Sequence, residues 1–171
     1  MSTNGSQSKV RVAVVQAGAV PFDTEACVDK AVRLIAEAAG LGAKVIVFPE
    51  AFIPGYPKGV NYGLVVGARD PAGREEFRLY LDAAIAVPGP QTQRLGEAAA
   101  AHGAHVIIGV IERDGGTCHC TVLFFGPDGS LLGKHRKLMP TVMERVIWGF
   151  GDGSTLTVVD SPYGRIGSVI C

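Results

Sequence analysis

Two β-rich apolar runs separated by one amphipathic helix constrain this chain more than any other feature. Val10 to Gln16 is dense in valine and bounded by Ala17-Gly18, and Lys44-Val45-Ile46-Val47-Phe48 is a second run of the same kind. Near-continuous apolar character suits strands buried on both faces. Between them, Asp23 is placed to cap a helix whose apolar positions Cys27, Ala31, Leu34, Ile35 and Ala38 recur at three- and four-residue steps, and Gly40 ends it. Strand, one-sided helix and strand form the unit that joins parallel neighbours through a right-handed crossover. The class is therefore α/β, and Glu50 falls just after the second strand.

Phe52 to Gly67 carries Pro54-Gly55-Tyr56-Pro57 and further glycines, which mark a loop long enough to shape a pocket. Pro71 to Ala84 suits a helix with Phe77, Leu81 and Ala84 on one stripe; after Pro88-Gly89-Pro90 a shorter helix runs through Ala101. Three strand-like runs follow, Ala104 to Ile111, Cys118 to Phe125 and Leu131 to Lys137. The intervening Asp114-Gly115-Gly116 and Pro127-Asp128-Gly129 are hairpin turns by composition. After an irregular stretch from Leu138 to Ser154, two last strands are expected at Thr155 to Val159 and Ile166 to Cys171, around the turn Ser161-Pro162-Tyr163-Gly164.

Composition narrows the function. A chain of 171 residues, 47% hydrophobic and 19% charged, supports one globular core. Its 16 basic and 16 acidic residues are scattered, so neither nucleic acid nor an anionic membrane is an expected partner, and a small neutral molecule is. Residues 1–9 read as a flexible polar segment without the apolar run of a signal peptide, and no later stretch suits a bilayer span, so a cytoplasmic protein is expected. Four cysteines, Cys27, Cys118, Cys120 and Cys171, are too few and too irregular for a disulfide scaffold and read as reduced thiols.

Three reactive side chains fall at strand ends: Glu50, Lys137 and Cys171. Strand ends at one edge of an α/β sheet are where sites form. Singly, each has an ordinary reading: a cap or surface carboxylate, a lysine on a solvated basic face, a small core thiol. Cys118-His119-Cys120, with His102 and His105 nearby, invites a metal reading. On a strand, however, the two cysteines face one side and His119 the other, so no metal is expected. Gly151-Asp152-Gly153-Ser154 lacks the lysine and helix of a phosphate loop, and no cofactor is expected.

The surroundings of these residues carry a resemblance. Phe48-Pro49-Glu50-Ala51-Phe52-Ile53-Pro54-Gly55-Tyr56-Pro57 resembles the stretch around the catalytic glutamate of nitrilases, and His135-Arg136-Lys137-Leu138-Met139-Pro140-Thr141 that around their catalytic lysine. Glu144 to Ser154, with Trp148-Gly149, is similar to the segment that marks the nitrilase branch of the carbon-nitrogen hydrolases. Gly164-Arg165-Ile166-Gly167-Ser168-Val169-Ile170-Cys171 matches the run leading to the nucleophile. The likeness implies a nitrilase-type α-β-β-α sandwich, of which residues 10–171 supply about the first half.

The same likeness implies hydrolysis of a nitrile to a carboxylic acid and ammonia, with Cys171 as nucleophile, Glu50 as general acid/base, Lys137 as stabiliser of developing anions and Glu144 in support. A thiolate suits the modest electrophile that a nitrile carbon presents. Tyr56 and Trp148 are candidates for the pocket wall, and a homo-oligomer is the expected assembly. The rivals are an amidase or carbamoylase using the same three residues on a carbonyl, and an inactive truncated fragment acting only in assembly.

Overall fold

The computed structural model describes residues 9–171. Apart from Lys9, the segment expected to be flexible at residues 1–9 lies outside the described residues. Strand β1 (Val12–Val14), helix α1 (Thr24–Gly40) and strand β2 (Val45–Val47) realise the expected opening, with β1 and β2 parallel. The Asp23 carboxylate accepts the Ala26 N–H at 2.9 Å, and Cys27, Val28, Ala31, Ile35 and Ala38 form the buried face of α1. Helix α2 (Pro71–Ala83) begins behind an Asp70 cap and α3 (Pro90–His102) ends at the left-handed Gly103. Strands β3 (His105–Asp114), β4 (Thr117–Phe125) and β5 (Leu131–Arg136) form an antiparallel meander, joined to the parallel pair through β2 and β3.

The resulting sheet has the order β1-β2-β3-β4-β5. One face carries Val106, Ile108, Val110, Leu123 and Phe125 against the buried stripes of α1 and α3. The opposite face carries Val45, Ile107, Val122 and Phe124 against Val159 and Ile166 of a second, two-stranded sheet, β6 (Val158–Ser161) and β7 (Gly164–Gly167). Each such side chain withdrawn from water contributes roughly 1.5–3 kcal/mol, which selects this layering over alternatives that expose either face. Helices, sheet and second sheet are three successive layers of an α-β-β-α sandwich.

Two expected strands are shorter than their apolar runs. β1 covers Val12–Val14 rather than Val10 to Gln16, because β2 offers a register only from Val45 to Val47. The last strand ends at Gly167 rather than Cys171, because its partner β6 begins at Val158, which faces Gly167. Cys171 is therefore four residues beyond a strand, exposed, with φ 59°. Thr155, expected in a strand, ends a short 3-10 turn (Gly153–Thr155) capped by Asp152, and a second such turn, Val142–Val146, lies in the stretch expected to be irregular.

Candidate active site

Glu50 is presented by a sharp reversal after β2. The Phe48 N–H still bonds Ile107 of β3 at 2.8 Å, and the chain then crosses directly over Gly109. A Cβ at Gly109 would meet Pro49 O at 2.4 Å and Glu50 Cα at 2.8 Å, so only glycine admits this crossing. Ala51, buried at the reversal, holds φ 50°, a left-handed conformation unfavourable for a residue with a side chain.

Lys137 follows β5. Its N–H bonds the Cys120 carbonyl of β4 at 2.8 Å, and its own carbonyl accepts Gly151 N–H at 2.8 Å. Alternation along β5 sends Arg136 to one face of the sheet and Lys137 to the other. The Lys137 ammonium, 1% exposed, donates to Glu50 Oε1 at 2.8 Å and to Glu144 Oε2 at 2.7 Å. Glu144 sits in the Val142–Val146 turn, where its Oε2 also accepts the Thr141 N–H at 2.6 Å and its Oε1 accepts the Tyr56 hydroxyl at 2.8 Å. Val142, beside it, has φ 48°, so strained backbone stands next to both carboxylates.

The charges reinforce one another. Burial works against the Lys137 ammonium, but its bonds to Glu144 and Glu50 outweigh that and hold its pKa above the usual lysine range. Burial likewise opposes the Glu144 carboxylate, and Lys137, the Thr141 N–H and Tyr56 together bring its pKa below the usual value. Lys137 thus stays cationic and Glu144 anionic at neutral pH. The Lys137 ammonium also lies 5.5 Å from the centroid of the Trp148 ring.

The structure therefore joins Glu50, Lys137 and Glu144 in one cluster. Tyr56 lines a cleft of about 520 Å³ beside Glu144, with Val60, Leu64, Met143 and Ile147 as apolar wall. Trp148 stands behind that wall: it is 2% exposed, packs edge-on against Tyr56 and donates its indole N–H to Tyr80. Cys171 is placed next to the cluster rather than in it, its sulfur 3.7 Å from Thr141 Oγ1. Cys120 escaped sequence reasoning, which read it only as a reduced thiol; its sulfur lies 3.5 Å from Glu50 Oε1. The clue was its strand neighbourhood, since it shares a face with Cys118 and abuts the end of β5.

The whole sequence from residue 11 to residue 171 matches the carbon-nitrogen hydrolase family. The chain belongs to that family. An aliphatic nitrilase from Sinorhizobium fredii is 60% identical over 164 residues, 96% of this chain and 53% of the relative. A bifunctional nitrilase/nitrile hydratase from Lupinus angustifolius is 56% identical over 171 residues, all of this chain and 49% of the relative. The carbon-nitrogen hydrolase chain thus spans about half the length of these relatives. Among solved structures, an amidase from Nesterenkonia sp. superposes with a TM-score of 0.71 at 19% identity, covering 99% of this chain and 59% of that one, which shows the shared fold.

Proposed function

We propose that this carbon-nitrogen hydrolase chain carries the reacting groups of a nitrilase, which converts a nitrile to a carboxylic acid and ammonia. The observation that carries the reading is the Lys137 ammonium held between two carboxylates, one of them, Glu50, still one-third exposed and open to a substrate. The 60% identity to an aliphatic nitrilase supports a nitrile as the substrate.

In this reading Glu50 accepts the proton of the Cys171 thiol as the sulfur bonds to the nitrile carbon, and delivers it to the nitrogen, giving a thioimidate. Water adds, with Glu50 accepting its proton, to form a tetrahedral intermediate. Ammonia departs and leaves a thioester, and a second water releases the acid and restores the thiol. Lys137 supplies fixed positive charge where anionic character develops. Glu144 keeps that lysine charged and aimed. Tyr56 forms part of the wall that receives the substituent of the nitrile. A cytoplasmic setting would suit a reaction that needs Cys171 as a free thiol.

The test is ammonia release from simple aliphatic and aromatic nitriles by the protein carrying this chain. Cys171→Ala abolishes turnover with the fold retained, and Glu50→Gln and Lys137→Ala each lower it at least about a hundredfold. Normal turnover in Cys171→Ala overturns the assignment. Measuring amide beside ammonia separates a pure nitrilase from one that also releases the half-hydrolysed product.

A further inference from the structure

The proposed chemistry leaves one thiol at the site without a task. Cys120 lies in β4, 1% exposed. Its carbonyl receives the Lys137 N–H at 2.8 Å, so its backbone sets where the lysine leaves the sheet. Its sulfur is 3.5 Å from Glu50 Oε1, the oxygen that also accepts from the Lys137 ammonium at 2.8 Å. Among the described residues no donor engages Glu50 Oε2.

We propose that Cys120 is a positioning residue for Glu50: its thiol donates to Oε1 and, with Lys137, occupies that oxygen, so that Oε2 is the one left to exchange protons during catalysis. This deepens the reading of Glu50 as the acid/base and rests on it. A carboxylate on a flexible side chain can present either oxygen; two donors converging on one of them fix its rotation at small entropic cost. Lys137 alone does not suffice, because its ammonium is shared with Glu144.

The environment keeps Cys120 a donor. Burial first, and then the negative charge of Glu50, push its pKa far above the usual thiol range, so it remains S–H. That also removes it as a rival nucleophile, since attack requires a thiolate. Cys118, two residues away on the same face, has no carboxylate partner among the described residues and pairs instead with the segment at Trp148.

Raman spectroscopy of the S–H stretching region tests the bond without any need for turnover. This chain has four unpaired thiols, and a thiol donating to a carboxylate stretches at lower frequency than one in apolar surroundings. The expected result is a lowered band that vanishes in Cys120→Ala and moves back up in Glu50→Gln. Glu50→Gln changes a partly exposed side chain, so it reads the bond even where Cys120→Ala fails to fold. A band for Cys120 that is insensitive to Glu50→Gln overturns the proposal.

Ammonia-release kinetics supply the second arm. Cys120→Ala lowers kcat roughly fivefold to tenfold with KM unchanged, and Cys120→Ser, which keeps a donor, restores it to within about twofold. A loss in Cys120→Ser equal to that in Cys120→Ala means the side chain serves packing alone and overturns the positioning role. A wild-type protein that releases no ammonia contradicts the nitrilase reading, while the Raman result still decides whether the hydrogen bond exists.

Discussion

Tyr56 and Glu144, 88 residues apart in the chain, meet through a 2.8 Å hydrogen bond in which the phenol donates to the carboxylate that orients Lys137. Burial and the bond to Glu144 push the tyrosine pKa up to about 12, so the phenol remains a donor throughout any practical assay range. Tyr56→Phe keeps the ring against Trp148 but loses the donor. We expect turnover to fall on the order of tenfold with thermal stability almost unchanged, the scale of one lost hydrogen bond to a charged group. Unaltered ammonia release in Tyr56→Phe contradicts a supporting role for this pair.

Gly109 sets the height at which Glu50 crosses the sheet. An added methyl would collide with backbone atoms of Pro49, Glu50 and Ala51, none of which can rotate away. Gly109→Ala is therefore expected to cost about 1–3 kcal/mol in stability and to lower turnover at least tenfold, because the carboxylate leaves its place beside Lys137. Denaturant melts together with kinetics check both parts, and a stable, fully active variant refutes the packing argument.

A second ion cluster lies on the other face of the sheet and was not foreseen from sequence. Glu112, 2% exposed, accepts from Arg136 at 2.6 and 2.9 Å, from Lys134 and from the Thr121 hydroxyl. Burial opposes its ionisation, yet Arg136 and Lys134 together draw its pKa from 4.5 to about 2. A depressed folded-state pKa gives stability that is present above pH 4.5 and disappears as pH falls towards 2, on the order of 3 kcal/mol. Urea midpoints should fall more steeply over that window in the wild type than in Glu112→Gln. Parallel slopes would show that the pair adds nothing.

β1 is an edge strand among the described residues, and Val12 and Val14 on it are 50% and 73% exposed. An open apolar edge of a parallel sheet recruits further strands. The chain should elute above its 17.8 kDa mass on size-exclusion chromatography, and Val14→Lys should shift it towards the monomer. Monomeric elution of the unaltered chain argues against self-association through this edge.

Much of this architecture was legible because the relevant signals are local. Asp23 caps α1 as its side-chain chemistry requires, and the glycine-rich turns after Asp114 and Pro127 return the chain into hairpins. The lengths of β1 and β7 were not legible, since apolar content marks what can pair while the ladder ends where the neighbour ends. Glu50, Lys137 and Glu144 stood out through the motifs around them. Cys120 and Glu112 did not, because a buried thiol resembles a small hydrophobe and a strand carboxylate resembles a surface charge until its cross-strand partners are known.

The two carboxylates reach Lys137 from very different distances along the chain, seven residues for Glu144 and 87 for Glu50. β3, β4 and β5 close through short turns, so the lysine, its local carboxylate and Cys120 belong to the part of the fold with the lowest contact order, which forms quickly. Glu50 arrives with β2, which reaches β3 only after the chain between Val47 and His105 has been looped out, at a greater entropic cost. On this contact-order argument we expect the Lys137–Glu144 pair to form before Glu50 joins it, and a molecule whose parallel strands have come loose to keep Lys137 ion-paired with Glu144 while lacking Glu50.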